Sequence, residues 1–449
     1  MKFEIPAGAQ KILRTLADAG YEAYLVGGCV RDLLRGVAPH DWDICTSARP
    51  EETEACFAGQ RIIETGLKRG TVTVLVEGEP YEITTYRTEG PYSDSRRPDY
   101  VEFVSSLEAD LARRDFTMNA IAMDLEGNLR DPFGGAADIQ AGLIRCVGEP
   151  AQRFQEDGLR VMRALRFASV LDYKIEHGTA GAIHENRRIL EHVAAERINV
   201  ELSKLLVGEQ AGDILRQYPD VLCEFWPELG PLVTLEQNNP WHCWGGWEHT
   251  IHAVEAAPPD LVLRLTMLLH DIGKPACKST DEKSIDHFYG HPAVSAKLAD
   301  RMLRELKFDN RTRERVVTLV EYHDVQIPNR DRSIRKWLGR LGPETFFQLL
   351  EVKRADGMGQ SYELVKDRLT QLEEMRTKAA EIVVQGQCFS LKNLAINGRD
   401  VIAAGVAPGP EVGRVLERLL ERVTGGEIPN ERERLLGLLR PDDSSSVGV

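Results

Sequence analysis

Two aspartates that alternate with a single apolar residue are the first candidates for chemistry. Asp41 and Asp43 belong to the run HDWDI at 40–44, and in an extended strand their side chains would point to one face. Two adjacent carboxylates repel each other unless a cation lies between them. A pair of Mg²⁺ ions would satisfy them, activate a hydroxyl group and neutralise a leaving pyrophosphate. Asp41 and Asp43 are therefore predicted to be catalytic metal ligands.

A glycine pair lies just ahead of these aspartates. Gly27 and Gly28 follow a strand predicted over Tyr21–Val26, and a short helix is predicted over Cys29–Arg35. Such a turn exposes backbone N–H groups beside the positive end of a helix, which together can cradle a triphosphate. Glycine pairs and Asp-x-Asp patterns are each common alone. Their combination at this spacing favours a catalytic site.

Two further charged motifs suggest nucleotide recognition. Arg113 and Arg114 can donate to phosphates, and the adjacent Asp115 can accept from a ribose hydroxyl, although a charged helix terminus would look the same. Asp157 and Arg160 are three residues apart in a predicted helix and would share a face.

A carboxylate and a guanidinium side by side can distinguish bases by their edges. Asp157 can accept from the exocyclic amine of cytosine or adenine, while Arg160 donates to a ring nitrogen or O2. Uracil and guanine present a carbonyl oxygen instead of that amine, and Asp157 would repel it. The pair predicts selection of C and A, with Glu156 orienting Arg160. An ordinary surface salt bridge is the alternative that spacing alone leaves open.

A separate set of histidines and aspartates suggests a second metal site. His270 and Asp271 follow the apolar helical stretch Leu261–Leu269. Neighbouring His and Asp at a helix end, with further His and Asp on distant helices, suit a divalent transition metal. The predicted ligands are His249, His270, Asp271 and Asp324, with His291 and His323 as additional candidates. Histidines that only cap helices are the alternative.

The elements that must position these residues change character near residue 135. Before it, strand patterns alternate with short helices and include a hairpin of Thr71–Val76 and Tyr81–Tyr86. Glu82 on this hairpin is a third candidate carboxylate, although an outward-facing residue is the favoured interpretation. From about residue 152 to the end, helical periodicity prevails. The predicted class is α+β, with a small mixed-sheet head followed by helical domains.

Composition narrows the class of protein. The chain has 449 residues, 42% apolar and 28% charged, and a net charge of −14 that argues against coating nucleic acid through bulk charge. No apolar run approaches the roughly 18 residues that cross a bilayer, and a secretory signal is not expected. The eight cysteines are scattered without a C-x-x-C pair. A cytoplasmic protein without membrane contact is expected.

Five motifs in order resemble the polymerase-β-type nucleotidyltransferases, specifically the class II branch of CCA-adding enzymes and bacterial poly(A) polymerases. They are LVGGCVRD (25–32) with DWDI (41–44), RRDFTMNA (113–120), DPFGG (131–135), EDGLRVMR (156–163) and ERINVE (196–201). The resemblance implies addition of C, C and A to the 3′ end of tRNA from CTP and ATP with Mg²⁺. It implies nucleotide binding by Gly27, Gly28, Arg31, Arg113, Arg114, Asp115, Asp157, Arg160 and Arg163.

The resemblance also implies a domain order. It divides the chain into a polymerase-β-like head (1–142), a neck (143–212), a body (213–345), a tail that reaches the tRNA elbow (346–440) and a flexible end (441–449). The H…HD…D pattern resembles an HD phosphohydrolase domain within the body. A loop around Arg87–Pro98 is retained, as in relatives that add the terminal A. Poly(A) addition, partial CC or A addition, and HD hydrolysis of RNA ends are the alternatives.

Overall fold

The structure, a computed structural model, describes residues 4–66, 69–90, 100–239, 244–360 and 362–439. The centre of the loop predicted around Arg87–Pro98 and the predicted flexible end lie outside these ranges. Contacts divide the chain into an N-terminal unit, residues 1–230 and 305–308, and a C-terminal unit, residues 231–304 and 309–449. The finer division into head, neck, body and tail stays a prediction. Within the described ranges, no helix combines the length and apolar character needed to cross a membrane.

A seven-stranded mixed sheet forms the head of the N-terminal unit. The strands of this unit are β1 Ala23–Val26, β2 Asp43–Thr46, β3 Arg61–Gly66, β4 Thr71–Val76, β5 Glu79–Thr85, β6 Arg87–Glu89, β7 Val101–Phe103, β8 Ala122–Met123, β9 Leu129–Arg130, β10 Leu143–Ile144 and β11 Lys174–Ile175. The large sheet has the order β3-β4-β5-β2-β1-β8-β9. Strands β2 and β5 pair in parallel, whereas β1 is antiparallel to β2 and β4 to β5.

The predicted hairpin is the β4–β5 pair. Val72, Val74 and Val76 alternate with less buried residues, as expected for a strand with one face on a core. Glu77 and Gly78 both have positive φ, of 56° and 90°, which is the backbone of a two-residue hairpin turn. Because this turn is so short, β5 begins at Glu79, two residues before the predicted start.

Helices complete the N-terminal unit. They are α1 Ala7–Asp18, α2 Gly28–Leu34, α3 Pro50–Cys56, α4 Leu107–Ala112, α5 Gly135–Ala141, α6 Pro150–Glu156, α7 Leu159–Leu171, α8 His177–Asn186, α9 Ala195–Leu206, α10 Ala211–Gln217 and α11 Pro219–Phe225, and α12 Leu229–Val233 leads into the next unit. Helix α7 packs on α9, which presents Ile198, Leu202 and Leu205 from one face. This packing orders the segment that carries the predicted base-selecting residues.

The C-terminal unit is almost entirely helical. Its helices are α13 Gly246–Ala256, α14 Leu261–Leu269, α15 Lys274–Cys277, α16 His291–Glu305, α17 Asn310–Tyr322, α18 Asp331–Leu341, α19 Pro343–Met358, α20 Tyr362–Val384, α21 Gly398–Ala403, α22 Pro410–Thr424 and α23 Arg432–Gly437. The short strands β12 Ser279–Thr280 and β13 Asp286–His287 form a hairpin. This hairpin and the β10–β11 pair are exceptions to the all-helical region predicted after the head. The α+β class itself is confirmed.

Candidate active site and a buried histidine cluster

Three carboxylates line one cavity of the N-terminal unit. Asp43 is the first residue of β2 and lies opposite Glu82 on the parallel strand β5. Asp41 comes two residues earlier, and all three residues are exposed. They border a cavity of about 570 Å³. The predicted pair of carboxylates therefore has a third neighbour. Glu82 faces outward, as favoured from the sequence, and also borders the cavity, so its role as a third metal carboxylate stays a prediction.

Negative charge is concentrated around Asp43. The pKa of Asp43 is raised, first by desolvation within the surrounding protein and next by the neighbouring Glu82 carboxylate. Arg114 opposes this shift, and Asp41 adds to it. Like charges this close are stabilised when a cation binds among them. Carboxylate oxygens are also the ligands that Mg²⁺ prefers. The three residues thus fit the predicted Mg²⁺ site.

Gly27 brings the backbone against this acidic group. Its φ of +79° lies in the left-handed region, which glycine adopts without strain. A Cβ atom at this position would lie 3.2 Å from Nη1 of Arg114 and 3.8 Å from Oδ2 of Asp43. Gly28 begins α2, and a Cβ atom there would approach Nη2 of Arg31 at 3.7 Å. The absence of side chains keeps space open beside the cations that were predicted to bind phosphate.

The two consecutive arginines share one buried carboxylate, Asp110, which was not predicted from the sequence. Asp110 is fully buried in α4; its Oδ1 accepts from Nη2 of Arg113 at 2.8 Å and its Oδ2 from Nη2 of Arg114 at 3.3 Å. Burial raises the pKa of Asp110, but Arg113 and Arg114 outweigh it and lower the pKa overall. The i,i+3 and i,i+4 spacing from Asp110 was the available signal.

The arginines differ in their remaining contacts. Arg113 also donates to Glu89 at 3.0 Å, so its guanidinium is held between two acids. Arg114 faces Gly27, and its buried Nε finds no hydrogen-bond partner within the described part of the chain. Of the two, Arg114 therefore has a donor that no described residue uses, and its Nη1 lies beside the Gly27 turn.

Asp115 is engaged within the protein. Its Oδ1 accepts from the backbone N–H of Phe116 at 2.8 Å and from Asn119 at 3.1 Å, and its Oδ2 accepts twice from Arg163, at 2.8 and 2.6 Å. Burial raises the pKa of Asp115, but Arg163 and Asn119 outweigh it and lower the pKa to about 2. Arg31 joins the group by donating to Asn119 at 2.9 Å. These contacts use the acceptor capacity of Asp115.

Asp157 and Arg160 are not on one continuous helix. Helix α6 ends before Asp157, whose φ of −138° and ψ of 103° are extended, and α7 begins after Gly158. The premise that the pair shares a helical face is therefore wrong. A Cβ on Gly158 would lie 3.0 Å from methyl groups of Ile189 and Val193. The close packing at Gly158 leaves no room for a side chain at the start of α7.

Each of the two residues has its own partner. Asp157 accepts from Nη1 and Nη2 of Arg197 on α9, at 3.1 and 2.8 Å. Arg160 is buried and donates to Glu156 at 2.6 Å and to the carbonyl oxygens of Arg153 and Arg113 at 3.0 and 2.9 Å. The expected contact of Glu156 with Arg160 is present. Base selection by Asp157 and Arg160 stays a prediction.

The C-terminal unit contains a buried group of six side chains, called here the histidine cluster. It consists of His249, His270, Asp271, His291, His323 and Asp356, each less than a tenth exposed. His270 follows the last residue of α14 and His323 follows the last residue of α17. His291 opens α16, while His249 and Asp356 lie within α13 and α19. Non-local packing of five helices thus assembles the cluster.

The predicted ligand set needs one correction. Within the described ranges, donor atoms converge within 4.8 Å in two groups, His249–His270–Asp271 and Asp271–His291–His323, and neither includes Asp324. Asp324 is exposed, because the side chain of its neighbour His323 turns inward and bonds to the Val320 carbonyl. Asp356, which was not predicted, lies 3.2 Å from Nε2 of His249. It has no adjacent histidine in sequence, so no local signal identified it.

Charge within the histidine cluster is uneven. Burial lowers the pKa of His270, but Asp271 and Asp356 outweigh it and raise the pKa to about 10. Burial and the neighbouring His270 lower the pKa of His323 to about 3. His270 therefore carries a positive charge beside Asp271 and Asp356 at neutral pH, while His323 stays neutral. A neutral imidazole is the form that ligates metals.

Known protein families and relatives match most of the length of this chain. The poly(A) polymerase head domain matches residues 23–145, a probable RNA- and SrmB-binding site of polymerase A matches 172–218, and a putative domain 2 of tRNA nucleotidyltransferase matches 281–439. The CCA-adding enzymes of Lactobacillus helveticus (strain DPC 4571) and Geobacillus kaustophilus (strain HTA426) are 36% and 37% identical, each over 95% of both chains. The crystal structure of the Bacillus stearothermophilus CCA-adding enzyme in complex with CTP is 33% identical, covers 96% of both chains and has a TM-score of 0.69. The chain therefore belongs to the family of CCA-adding enzymes.

Proposed function

We propose that this chain adds C, C and A in turn to the 3′ end of tRNA from CTP and ATP. In each addition, the terminal 3′-oxygen forms a bond to the α-phosphorus of the nucleotide. The bond from that phosphorus to the pyrophosphate oxygen breaks, and the hydroxyl proton is released. The observation that carries the proposal is the meeting of Asp41, Asp43 and Glu82 with the Gly27 turn and Arg114.

The three carboxylates would hold the Mg²⁺ ions. When bound, Mg²⁺ activates the 3′-hydroxyl and neutralises charge on the leaving pyrophosphate. Asp43 and Glu82 are fixed by the register of two paired strands, which sets the spacing of their side chains. A site on strands is more rigid than one on loops, and this rigidity favours reproducible orientation of the reacting groups.

The Gly27 turn and the arginines bind the triphosphate. Asp110 holds Arg114 through a hydrogen bond, and Nη1 of Arg114 lies beside the Gly27 turn, where it can donate to a phosphate oxygen. Arg31 and Arg113 add positive charge nearby, and Gly27 and Gly28 let phosphate oxygens approach backbone N–H groups. Arg114 with Asp115 is assigned to the ribose. A ribose hydroxyl reaches Asp115 by exchanging with one of the four bonds to its carboxylate, while Arg163 holds that carboxylate in place.

Asp157 and Arg160 select the base. Arg197 fixes Asp157 through two hydrogen bonds, and the carboxylate retains acceptor capacity for an exocyclic amine. Glu156 and two carbonyl oxygens fix Arg160, whose remaining N–H groups can donate to a ring nitrogen or O2. A base with a carbonyl in place of the amine sets that oxygen against the Asp157 carboxylate, which is a basis for rejection.

The test is nucleotide incorporation on a tRNA transcript that ends at its discriminator base. Each nucleoside triphosphate is offered with Mg²⁺, alone and in combination, and products are resolved at single-nucleotide length. We expect three additions that require CTP and then ATP, with UTP and GTP refused. Two additions of C would instead assign a CC-adding enzyme, one addition of A an A-adding enzyme, and a long A ladder a poly(A) polymerase.

The same proposal places the chain in the cytoplasm, where its tRNA substrate is found. The seven cysteines in the described ranges are all free thiols, as expected in a reducing compartment. Localisation of a tagged full-length chain by cell fractionation tests this, and recovery with the membrane or secreted fraction would contradict it.

A second function is favoured by the histidine cluster, which borders a cavity of about 260 Å³ together with Lys274 and Tyr289. We propose that the C-terminal unit is a metal-dependent phosphohydrolase of the HD type. A water oxygen forms a bond to phosphorus and the bond to the ester oxygen breaks. One proton of the water goes to the leaving oxygen and the other to solvent. Release of p-nitrophenol from p-nitrophenyl phosphate by the metal-loaded chain, lost in His270→Ala, tests this function.

A further inference from the structure

The four histidines of the cluster all use the same ring atom to contact the backbone. Nδ1 of His249 lies 2.9 Å from the Gly359 carbonyl, and Nδ1 of His270 lies 2.6 Å from that of Met267. Nδ1 of His291 and Nδ1 of His323 lie 2.8 and 2.7 Å from the carbonyls three residues before them. A carbonyl only accepts, so each Nδ1 carries the hydrogen. Four Nε2 atoms are therefore turned toward the centre of the cluster, where each can bind a metal ion once it carries no proton.

The Nε2 atoms form two pairs. His249 and His270 approach each other with their Nε2 atoms 3.2 Å apart, and so do His291 and His323. Two lone pairs at this distance repel each other unless a proton or a metal ion lies between them. Histidine ligands of metals commonly donate their other N–H to a backbone carbonyl, which fixes the ring as it is fixed here.

Asp271 divides its two oxygens between the pairs. Its Oδ2 lies 3.3 Å from Nε2 of His249 and 3.2 Å from Nε2 of His270. Its Oδ1 lies 3.3 Å from Nε2 of His291 and 3.8 Å from Nε2 of His323. One carboxylate thus faces two separate nitrogen pairs, which is the geometry of a bridging ligand.

We propose that the histidine cluster holds two divalent transition-metal ions bridged by Asp271. The first ion takes His249, His270, Asp271 and Asp356, and the second takes His291, His323 and the other oxygen of Asp271. Imidazole nitrogens suit Fe²⁺, Ni²⁺ or Zn²⁺ better than Mg²⁺, and the carboxylate oxygens beside them also admit Mn²⁺. This inference rests on the phosphohydrolase proposed above and deepens it from one ion to two.

The ligand that two such ions would share is a phosphate ester. Paired metal ions orient the attacking and leaving oxygens of an in-line displacement at phosphorus. His291 and His323 line the cavity of about 260 Å³, as does Lys274, which lies 2.7 Å from Oδ2 of Asp271. The second ion has fewer protein ligands than the first and faces this cavity. It is therefore the ion that we expect a phosphate oxygen to reach.

The test counts metal ions in the full chain. The protein carries Asp41→Ala and Asp43→Ala so that the acidic site of the head does not contribute, is stripped with a chelator, loaded with Mn²⁺ and desalted. We expect about two Mn²⁺ per chain by elemental analysis, with the electron paramagnetic resonance signal of an exchange-coupled pair. His249→Ala and His291→Ala should each retain about one ion and lose the coupled signal. Asp271→Ala should lose both ions.

The control variant changes a histidine that lies outside the cluster. His252→Ala, one turn beyond His249 and paired with Glu248 and Glu255, should keep both ions. One ion or none in the parent chain, or two ions without coupling, would overturn the bridged pair. Circular dichroism identifies any variant that fails to fold, and His323→Ala then replaces His291→Ala as the test of the second ion. Two bound ions without release of p-nitrophenol would overturn the phosphohydrolase but leave the dinuclear site standing.

Discussion

At the residue scale, Glu82 decides whether the acidic site of the head works as a pair or as a triad. It lies opposite Asp43 and contributes to the raised pKa of that residue. A third carboxylate strengthens attraction for divalent cations, because it adds a full negative charge where two already repel each other.

We expect Glu82→Gln to raise the Mg²⁺ concentration needed for half-maximal nucleotide addition and to slow addition roughly 10- to 100-fold, as with other groups that support a metal site. The measurement is the rate of CTP incorporation across a Mg²⁺ titration. Glu126→Gln, an exposed glutamate between β8 and β9, removes the same charge and should leave the Mg²⁺ dependence unchanged. Equal behaviour of the two variants would remove Glu82 from the site.

The ionised Asp115 carboxylate should make the free energy of unfolding depend on pH. Its pKa falls from the usual 3.8 to about 2 in the folded protein, so the ionised form stabilises the fold by about 2 kcal/mol at neutral pH. A lowered folded pKa gives stability that is complete above pH 3.8 and is lost as pH falls toward 2. Asp115→Asn should therefore lower the free energy of unfolding by about that amount at pH 7.

The same variant should differ less from the parent chain as pH falls from 4 to 2. Urea unfolding followed by circular dichroism at pH 7, 4 and 3 measures the difference. Asp172→Asn is the control, because Asp172 is exposed and has φ of 56°, a backbone that asparagine also adopts. A difference that stays constant down to pH 3 would mean that Asp115 acts through packing rather than through its charge.

At the element scale, the break between α6 and α7 places Asp157 under the control of a third helix. Arg197 of α9 holds the Asp157 carboxylate, and Glu201, one turn further along α9, accepts from Arg166 of α7 at 2.7 Å. The packing of α9 on α7 therefore sets the position of the carboxylate that we assign to base selection. Arg197 is a positioning residue in this arrangement.

We expect Arg197→Ala to lower the preference for CTP over UTP roughly tenfold, because a free Asp157 no longer presents its oxygens in one orientation. The readout is the ratio of kcat/KM for CTP and UTP on a tRNA transcript. Arg197→Lys keeps one charged donor and should restore part of the preference. Arg188→Ala, an exposed arginine near the same helices, is the control. A uniform loss of activity with all nucleotides would indicate a structural role only.

Local sequence patterns predicted the helices, strands and turns that carry the sites better than they predicted which residues form each site. The Gly27 turn, the β4–β5 hairpin and helix α14 follow from spacing and composition over a few residues. A metal role for Glu82 was only one of two open interpretations and Asp356 was not predicted, because each joins its site through pairing or packing between distant segments. Asp324 was predicted as the last aspartate of the H…HD…D pattern, yet the side chain that turns into the cluster is that of its neighbour His323. Contacts between distant segments therefore determine which of these carboxylates join the sites, and local sequence patterns do not reveal such contacts.

At the scale of the whole molecule, the two candidate sites use separate parts of the chain. All the residues assigned to nucleotide addition belong to the N-terminal unit, and the whole histidine cluster belongs to the C-terminal unit. The two sites also differ in donor chemistry, since one offers only oxygen ligands and the other combines nitrogen and oxygen. Their metal requirements should therefore be separable.

We expect Asp41→Ala to abolish CTP incorporation and to leave release of p-nitrophenol unchanged, and His270→Ala to do the reverse. Both activities are measured on the same preparations of the full chain, once with Mg²⁺ alone and once with Mn²⁺. Mg²⁺ alone should support nucleotide addition, whereas hydrolysis should need Mn²⁺, because Mg²⁺ prefers sites made only of oxygen ligands. Asp172→Asn should keep both activities. Loss of both activities in either variant, after a normal circular dichroism spectrum, would show that the sites depend on each other and would contradict their assignment to separate units.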